Sequence, residues 1–182
     1  MRRKKLQSEF WYKKALLKIF QLIKSLFVIS VPDQYKEEFS MVVNRINVIR
    51  VKVIAVIFII FESALLILFL IKNQDNLFIY PNICYSGMYV LLLTAMIVYL
   101  LVFIKLGKDI RGNGKIILVA GISFTCFILY WCAGISLLDQ LNYGQVIVYI
   151  TALLAIAVVP FFSPITLFFI YSSGHLLFVA LI

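Results

Sequence analysis

Glu62 and His175 are ionisable side chains set inside long apolar runs of this 182-residue chain. The residues one helical turn from Glu62 are Phe58, Ile59, Leu65 and Leu66, all apolar. A carboxyl group in such a run is costly to ionise, must face protein or water, and is a candidate for function. Its plainer role is a hydrogen bond that holds two helices together. At ~1.5 Å per residue, Glu62 lies about 14 Å beyond Val53, and His175 about 16 Å beyond Pro164. Thr94 and Thr125 fall near the same level. Glu62, His175, Thr94 and Thr125 therefore define an expected polar layer at mid-depth. It could hold a small ligand or sense pH or voltage, or it could serve only as glue between helices. A second group, Tyr80, Tyr85, Trp131, Asp139, Gln140, Asn142 and Tyr143, gathers at the outer ends of the same runs. Tyr and Trp prefer membrane interfaces, so an aromatic belt accounts for it. The sharper alternative is a shallow outer pocket with Trp131, Asp139, Gln140 and Tyr143 as its ligand-facing residues.

Other chemistry is excluded by residue type. There is one histidine, no His-x-x-x-His pair, no Gly-rich phosphate loop and no Ser–His–Asp order. Gly112-x-Gly114 follows a charge run and reads as a turn. Cys84, Cys126 and Cys132 lack metal-type spacing and read as small apolar residues. No cofactor, metal site or catalytic residue is expected, and the chain as it stands reads as no enzyme.

The elements that must position these residues follow from composition. The chain is 64% hydrophobic and 14% charged, against roughly 45–50% and about 25% in soluble domains. Residues 116–182 contain no Lys or Arg at all, so no water-facing shell can be built from them. A soluble globular domain, a disordered chain and a compact soluble enzyme are excluded. The net charge of +9 does not indicate nucleic-acid binding, because the basic residues sit where membrane proteins place them. The expected fold is an all-α polytopic membrane protein. An amphipathic and juxtamembrane region occupies residues 1–52, and about five spans follow at 53–71, 83–104, 116–138, 145–162 and 165–182. Each span is near the ~20 residues that cross a hydrocarbon core, where only internally bonded backbone is stable. A further helix from about Asp33 to Val51 should feed into the first span. Twelve of the 17 Lys and Arg lie in residues 1–52, four lie in residues 105–115, and Lys72 is the other. The positive-inside rule places the N-terminus, the 105–115 loop and the Pro160–Pro164 turn in the cytoplasm. The fifth run stops at Ile182 with no flanking polar anchor, which reads as a fragment.

Residues 10–29 carry a separate signal. On a helical wheel Lys13, Lys14, Lys18, Lys24, Gln21 and Ser25 fall within one arc of about 140°. Leu16, Ile19, Phe20, Ile23, Leu26 and Phe27 lie opposite. Lysines interrupt the apolar run and no small-residue cleavage site follows, so this is not a secretory signal. It reads as a helix lying on a bilayer with anionic headgroups, or as one docked on the apolar face of a partner helix. A homodimer is a candidate assembly. The small-molecule signal is not legible.

One resemblance emerges. The stretch Gly134-Ile-Ser-Leu-Leu-Asp-Gln-Leu-Asn-Tyr-Gly-Gln-Val-Ile-Val-Tyr149 is followed by Ala-Val-Val-Pro160-Phe-Phe-Ser-Pro164 and by Tyr171 to His175. Upstream stand Pro32, Glu38-Phe39, Asn47 and Arg50-Val-Lys52. Together these resemble the N-terminal membrane region of bacterial diguanylate cyclases of the GGDEF class, chiefly from clostridia and their relatives. The resemblance implies a sensor of about six spans followed by a cytoplasmic cyclase that makes cyclic di-GMP from two GTP. This chain contains no GGDEF signature, so that chemistry is not its own. The alternatives are a small multi-pass transporter or transporter subunit using Glu62 for coupling, and a nonfunctional remnant.

A peptide of residues 10–29 should bind anionic vesicles and dissociate as salt rises, with each lysine contributing roughly 1 kcal/mol at the surface. Equal binding to neutral vesicles in a co-sedimentation assay removes the electrostatic part of this reading.

Overall fold

The computed structural model describes Lys18, residues 31–158 and residues 161–181. The expected interfacial helix at 10–29 thus lies outside the described residues, apart from Lys18. Pro32 leads into one turn of 3-10 helix, Asp33–Tyr35, closed by a bond from the Tyr35 amide to the Pro32 carbonyl at 2.9 Å. Helix α1 then runs unbroken over Lys36–Lys72. Glu37 and Glu38 in its first turn and Lys72 in its last complement the helix dipole. Asn73 ends it, with both its amide and its side-chain Nδ2 donating to the Phe69 carbonyl. The expected juxtamembrane helix and first span are therefore one rod of 37 residues, about 55 Å long.

Helix α2 spans Asn82–Leu106, and helix α3 spans Gly114–Tyr143. Helix α3 ends on Gly144, whose φ of 68° is the left-handed cap that glycine adopts without a Cβ penalty. Helix α4 is short, Ile147–Val158. Helix α5 covers Pro164–Leu181. Pro164 takes its first position, where the missing amide costs nothing. The Ser163 hydroxyl accepts from the Thr166 amide at 3.2 Å as an N-cap.

Four helices, counting Asp33–Lys72 as one, are long and apolar enough to cross a membrane. The segment expected as the span 145–162 departs from the others. Its helix has 12 residues, about 18 Å, short of the ~30 Å hydrocarbon core. The chain in this segment still travels the length of the bundle. It leaves α3 at Tyr143 and returns to Phe161, whose backbone bonds to Asn47 near the other end.

Helix α3 is the central element, packing against each of the other four helices. One core lies between α1, α2 and α3 and holds Val48, Ala55, Leu92, Met96, Phe103, Ile117 and Phe124. A second, between α3, α4 and α5, holds Leu129, Ala133, Tyr149, Ile156, Ile170 and Phe178. Ile60, Phe61, Leu68, Leu101, Val119, Phe169 and Leu176 face outward and are exposed, as lipid-facing side chains would be.

Polar side chains tie one end together. Asn44 and Asn47, both buried, sit one turn apart on α1. Asn44 donates to the Gly114 carbonyl at 3.3 Å. Asn47 donates to the Phe161 carbonyl at 3.1 Å and accepts from its amide at 2.9 Å. The Arg50 guanidinium stands 5.4 Å from the Phe161 ring centroid, and Arg111 pairs with Glu37 at 2.6 Å. The beginning of α1, the 105–115 loop and the α4–α5 turn therefore share one end, which also gathers Arg45, Arg50, Lys52, Lys105, Lys108 and Lys115.

Helix α5 meets α3 where glycine allows close approach. A Cβ on Gly174 would lie 2.2 Å from Cδ2 and 2.8 Å from Cγ of Leu129, a side chain that is fully buried. Gly174→Val should therefore destabilise the α3–α5 contact by about 1–3 kcal/mol through overpacking. Thermal unfolding in detergent checks this. An unchanged transition would show that Leu129 has room to move.

Candidate functional site

A cavity of about 570 Å³ opens between α1 and α4, backed by α2 and α3. That volume lies within the range of ligand pockets, about 300–1,000 Å³. Ile54, Phe58, Glu62 and Leu65 form the α1 wall. Val148, Thr151, Ala152 and Ile156 form the α4 wall. Tyr85 and Tyr89 come from α2, and Phe124, Thr125, Trp131, Cys132 and Asp139 from α3. Thr125 and Asp139 are 14 residues apart on one helix, so the cavity extends about 21 Å along α3.

Helical spacing positions the polar members. Phe58, Glu62 and Leu65 recur at intervals of four and three, which places them on one stripe of α1. Glu62 is 6% exposed, and its Oε2 has no hydrogen-bond partner. Thr125 is 4% exposed, and its hydroxyl donates to the Gly121 carbonyl one turn back at 2.9 Å. Two sequence-predicted members of the mid-depth layer therefore do share one cavity.

The other two do not. Thr94 is exposed on α2, and its hydroxyl bonds back to the Val90 carbonyl at 2.8 Å. His175 is exposed on α5, a helix that packs on α3 rather than beside Glu62. Among the described residues no ion pair joins Glu62 to His175. Depth places all four at one level, but the facing of each helix separates them.

The outer group also divides. Trp131 is buried, and its indole Nε1 donates to the Met88 carbonyl at 2.8 Å. This bond fixes the ring in the cavity wall and satisfies its single donor. Asp139 accepts from the Tyr85 hydroxyl at 2.8 Å, which ties α2 to α3 at the far end of the cavity. Tyr85 and Tyr89 both pack against Phe69, with centroids 6.3 and 5.6 Å away. Gln140 lies outside the cavity lining and has a buried Oε1 without a partner. Tyr143 is 68% exposed and takes no part. Of the four residues expected to face an outer pocket, Trp131 and Asp139 line the cavity and Gln140 and Tyr143 do not.

Sequence reasoning missed Asn44 and Asn47, which close the opposite end. Their signal was two amides three residues apart just before an apolar run, a spacing that puts both on one face. It also missed Ser136, whose hydroxyl accepts from the Tyr149 amide at 2.8 Å and so receives an otherwise orphan donor at the start of α4. Among the described residues no group of His, Cys, Asp and Glu could hold a metal ion. Cys132 is buried in the cavity wall.

A double-mutant cycle of Tyr85→Phe with Asp139→Ala should return a coupling of roughly 0.6–1.7 kcal/mol, as for other hydrogen bonds between membrane helices. The same cycle on Glu62→Gln with His175→Gln should be additive. Stability measured by reversible unfolding in micelles supplies both numbers, and coupling in the second cycle alone would contradict the facing described above.

Compared with known proteins, the chain matches no family model, no curated protein and no solved structure.

Proposed function

We propose that this chain is a membrane-embedded sensory or anchoring module of a bacterial signal-transduction protein, with the Glu62 cavity as its small-molecule site. The observation that carries the reading is the cavity itself. It combines an apolar lining with few polar groups, the usual makeup of a ligand site. One of its walls, α1, continues without a break into the Asn44–Asn47 end. A ligand that spreads or draws in the α1 wall would therefore act on residues 36–52 through a rigid rod. The resemblance of residues 134–175 to the membrane region of GGDEF-type diguanylate cyclases supports a signalling role and suggests cyclic di-GMP synthesis as the parent output.

In this reading the basic end faces the cytoplasm, and Tyr85 and Asp139 lie toward the outer side. Such a module binds without transport. Proteoliposomes containing the chain should pass no more protons down an imposed pH gradient than empty vesicles. A flux that disappears in Glu62→Gln would replace sensing with coupled transport. Orientation has its own check. A cysteine introduced at Asn113, with Cys84, Cys126 and Cys132 replaced by alanine, should resist an impermeant maleimide in sealed cells and react after permeabilisation. Labelling in sealed cells would invert the assignment.

A further inference from the structure

The chemistry of the cavity wall is one-sided. Among the described residues, Glu62 and Asp139 line it, and no Lys, Arg or His does. Two carboxyl groups without a basic neighbour make a poor site for an anion and a favourable one for a cation. Glu62 is the more demanding of the two. It is buried, 6% exposed, and Oε2 lacks a hydrogen-bond partner. A buried polar atom without a partner is an exception that calls for a reason, and an unfilled ligand position is one. Asp139 differs, because the Tyr85 hydroxyl already occupies its Oδ1.

The rest of the wall narrows the class. Phe58, Tyr85, Tyr89, Phe124 and Trp131 all contribute to the lining. Aromatic faces attract cations through their quadrupole, Trp most strongly. Trp131 spends its only donor on Met88, so its ring is what it has left to offer. The rest of the lining is aliphatic apart from Cys132 and two threonines, Thr125 and Thr151, whose hydroxyls each donate to a carbonyl of their own helix, and among the described residues no group of His, Cys, Asp and Glu could hold a metal ion. A volume of about 570 Å³ suits a drug-sized organic molecule.

From the unpartnered Glu62 carboxyl in an aromatic cavity whose described lining carries no base, we infer that the site binds a lipophilic organic monocation, with Glu62 as its counter-charge and the aromatic rings as its cradle. This rests on the reading of the cavity as a small-molecule site and adds the charge and character of the ligand. Along α1 the Glu62 carboxyl is flanked by the apolar lining residues Phe58 and Leu65. A cation with hydrocarbon or aryl groups on every side fits that position better than a primary ammonium, which would leave donors unsatisfied.

The test uses the full chain in a nonionic detergent and the probe tetraphenylphosphonium. Equilibrium dialysis measures binding above protein-free micelles. Tetraphenylborate, an anion of closely similar shape, is measured in separate samples. The expected result is one saturable phosphonium per chain and no saturable borate. Glu62→Gln should weaken phosphonium binding roughly tenfold or more, the scale of a lost buried charge partner. Glu62→Asp should retain most of it, and Thr94→Ala, outside the cavity, all of it. The borate arm uses the unaltered chain, so it decides even if Glu62→Gln fails to fold. Saturable borate binding as tight as that of phosphonium, or a folded Glu62→Gln chain that binds phosphonium unchanged, overturns the cation assignment while keeping a small-molecule cavity. Saturable binding of neither ion overturns both.

Discussion

Two hydrogen bonds between the Asn47 side chain and the backbone of Phe161 span 114 residues of sequence, and the arrangement of the helices depends on them. A turn between helices leaves amide and carbonyl groups without intrahelical partners. In an apolar setting each one left unmet is costly. A primary amide side chain can donate and accept at once. Asn47 therefore satisfies both the amide and the carbonyl of one turn residue, and in doing so fastens the α4–α5 turn to α1. Asn44 does half as much for Gly114, one turn earlier. With α1, α3 and the α4–α5 turn pinned at this end, and α2 and α3 joined by Tyr85 and Asp139 at the other, the space between α1 and α4 is held open along its length.

The same rod carries the fastening and the charge. Asn47 and Glu62 are separated by 15 residues of α1, about 22 Å along its axis. Between them Val48, Val51 and Ala55 are buried against α2 and α3, so α1 is seated on the core on one side and borders the cavity on another. A local push on the Glu62 wall cannot be absorbed by a hinge, because α1 contains no proline or glycine. It must appear as a tilt of the whole helix or as a load on the two asparagines. The chemistry of the cavity and the mechanics of the basic end are in this sense one subject.

How far the sequence revealed this follows from what each residue could signal. Long apolar runs, the Pro32 and Pro164 breaks and the clustering of Lys and Arg were sufficient for the all-helical architecture and for the positions of the four long helices. Glu62 and Thr125 were legible as buried polar residues because depth is simple arithmetic. Thr94 and His175 misled for the same reason. Depth says nothing about rotation, and helices that are apolar all round, as α2 and α5 are, offer no polar stripe from which facing could be read. Trp131 and Asp139 were legible as an end-of-span pair, but that they line the same cavity as Glu62 was not, since an aromatic at the end of a span fits an interface belt and a cavity wall equally well. The shortness of α4 was hidden because residues 145–162 carry no charged side chain. Only tertiary contacts, such as that between Ser136 and the Tyr149 amide, show where its helix starts.

That short helix bears on the bilayer itself. Helix α4, about 18 Å long, stands beside neighbours that exceed the ~30 Å hydrocarbon thickness. On α4, Thr151 and Ala155 border the cavity and are themselves exposed on the outside of the bundle, so this short wall presents the same residues to the cavity and to the surroundings. An amphiphile dissolved in the leaflet would meet its thinnest barrier at that place and could reach Glu62 sideways, without first crossing into water.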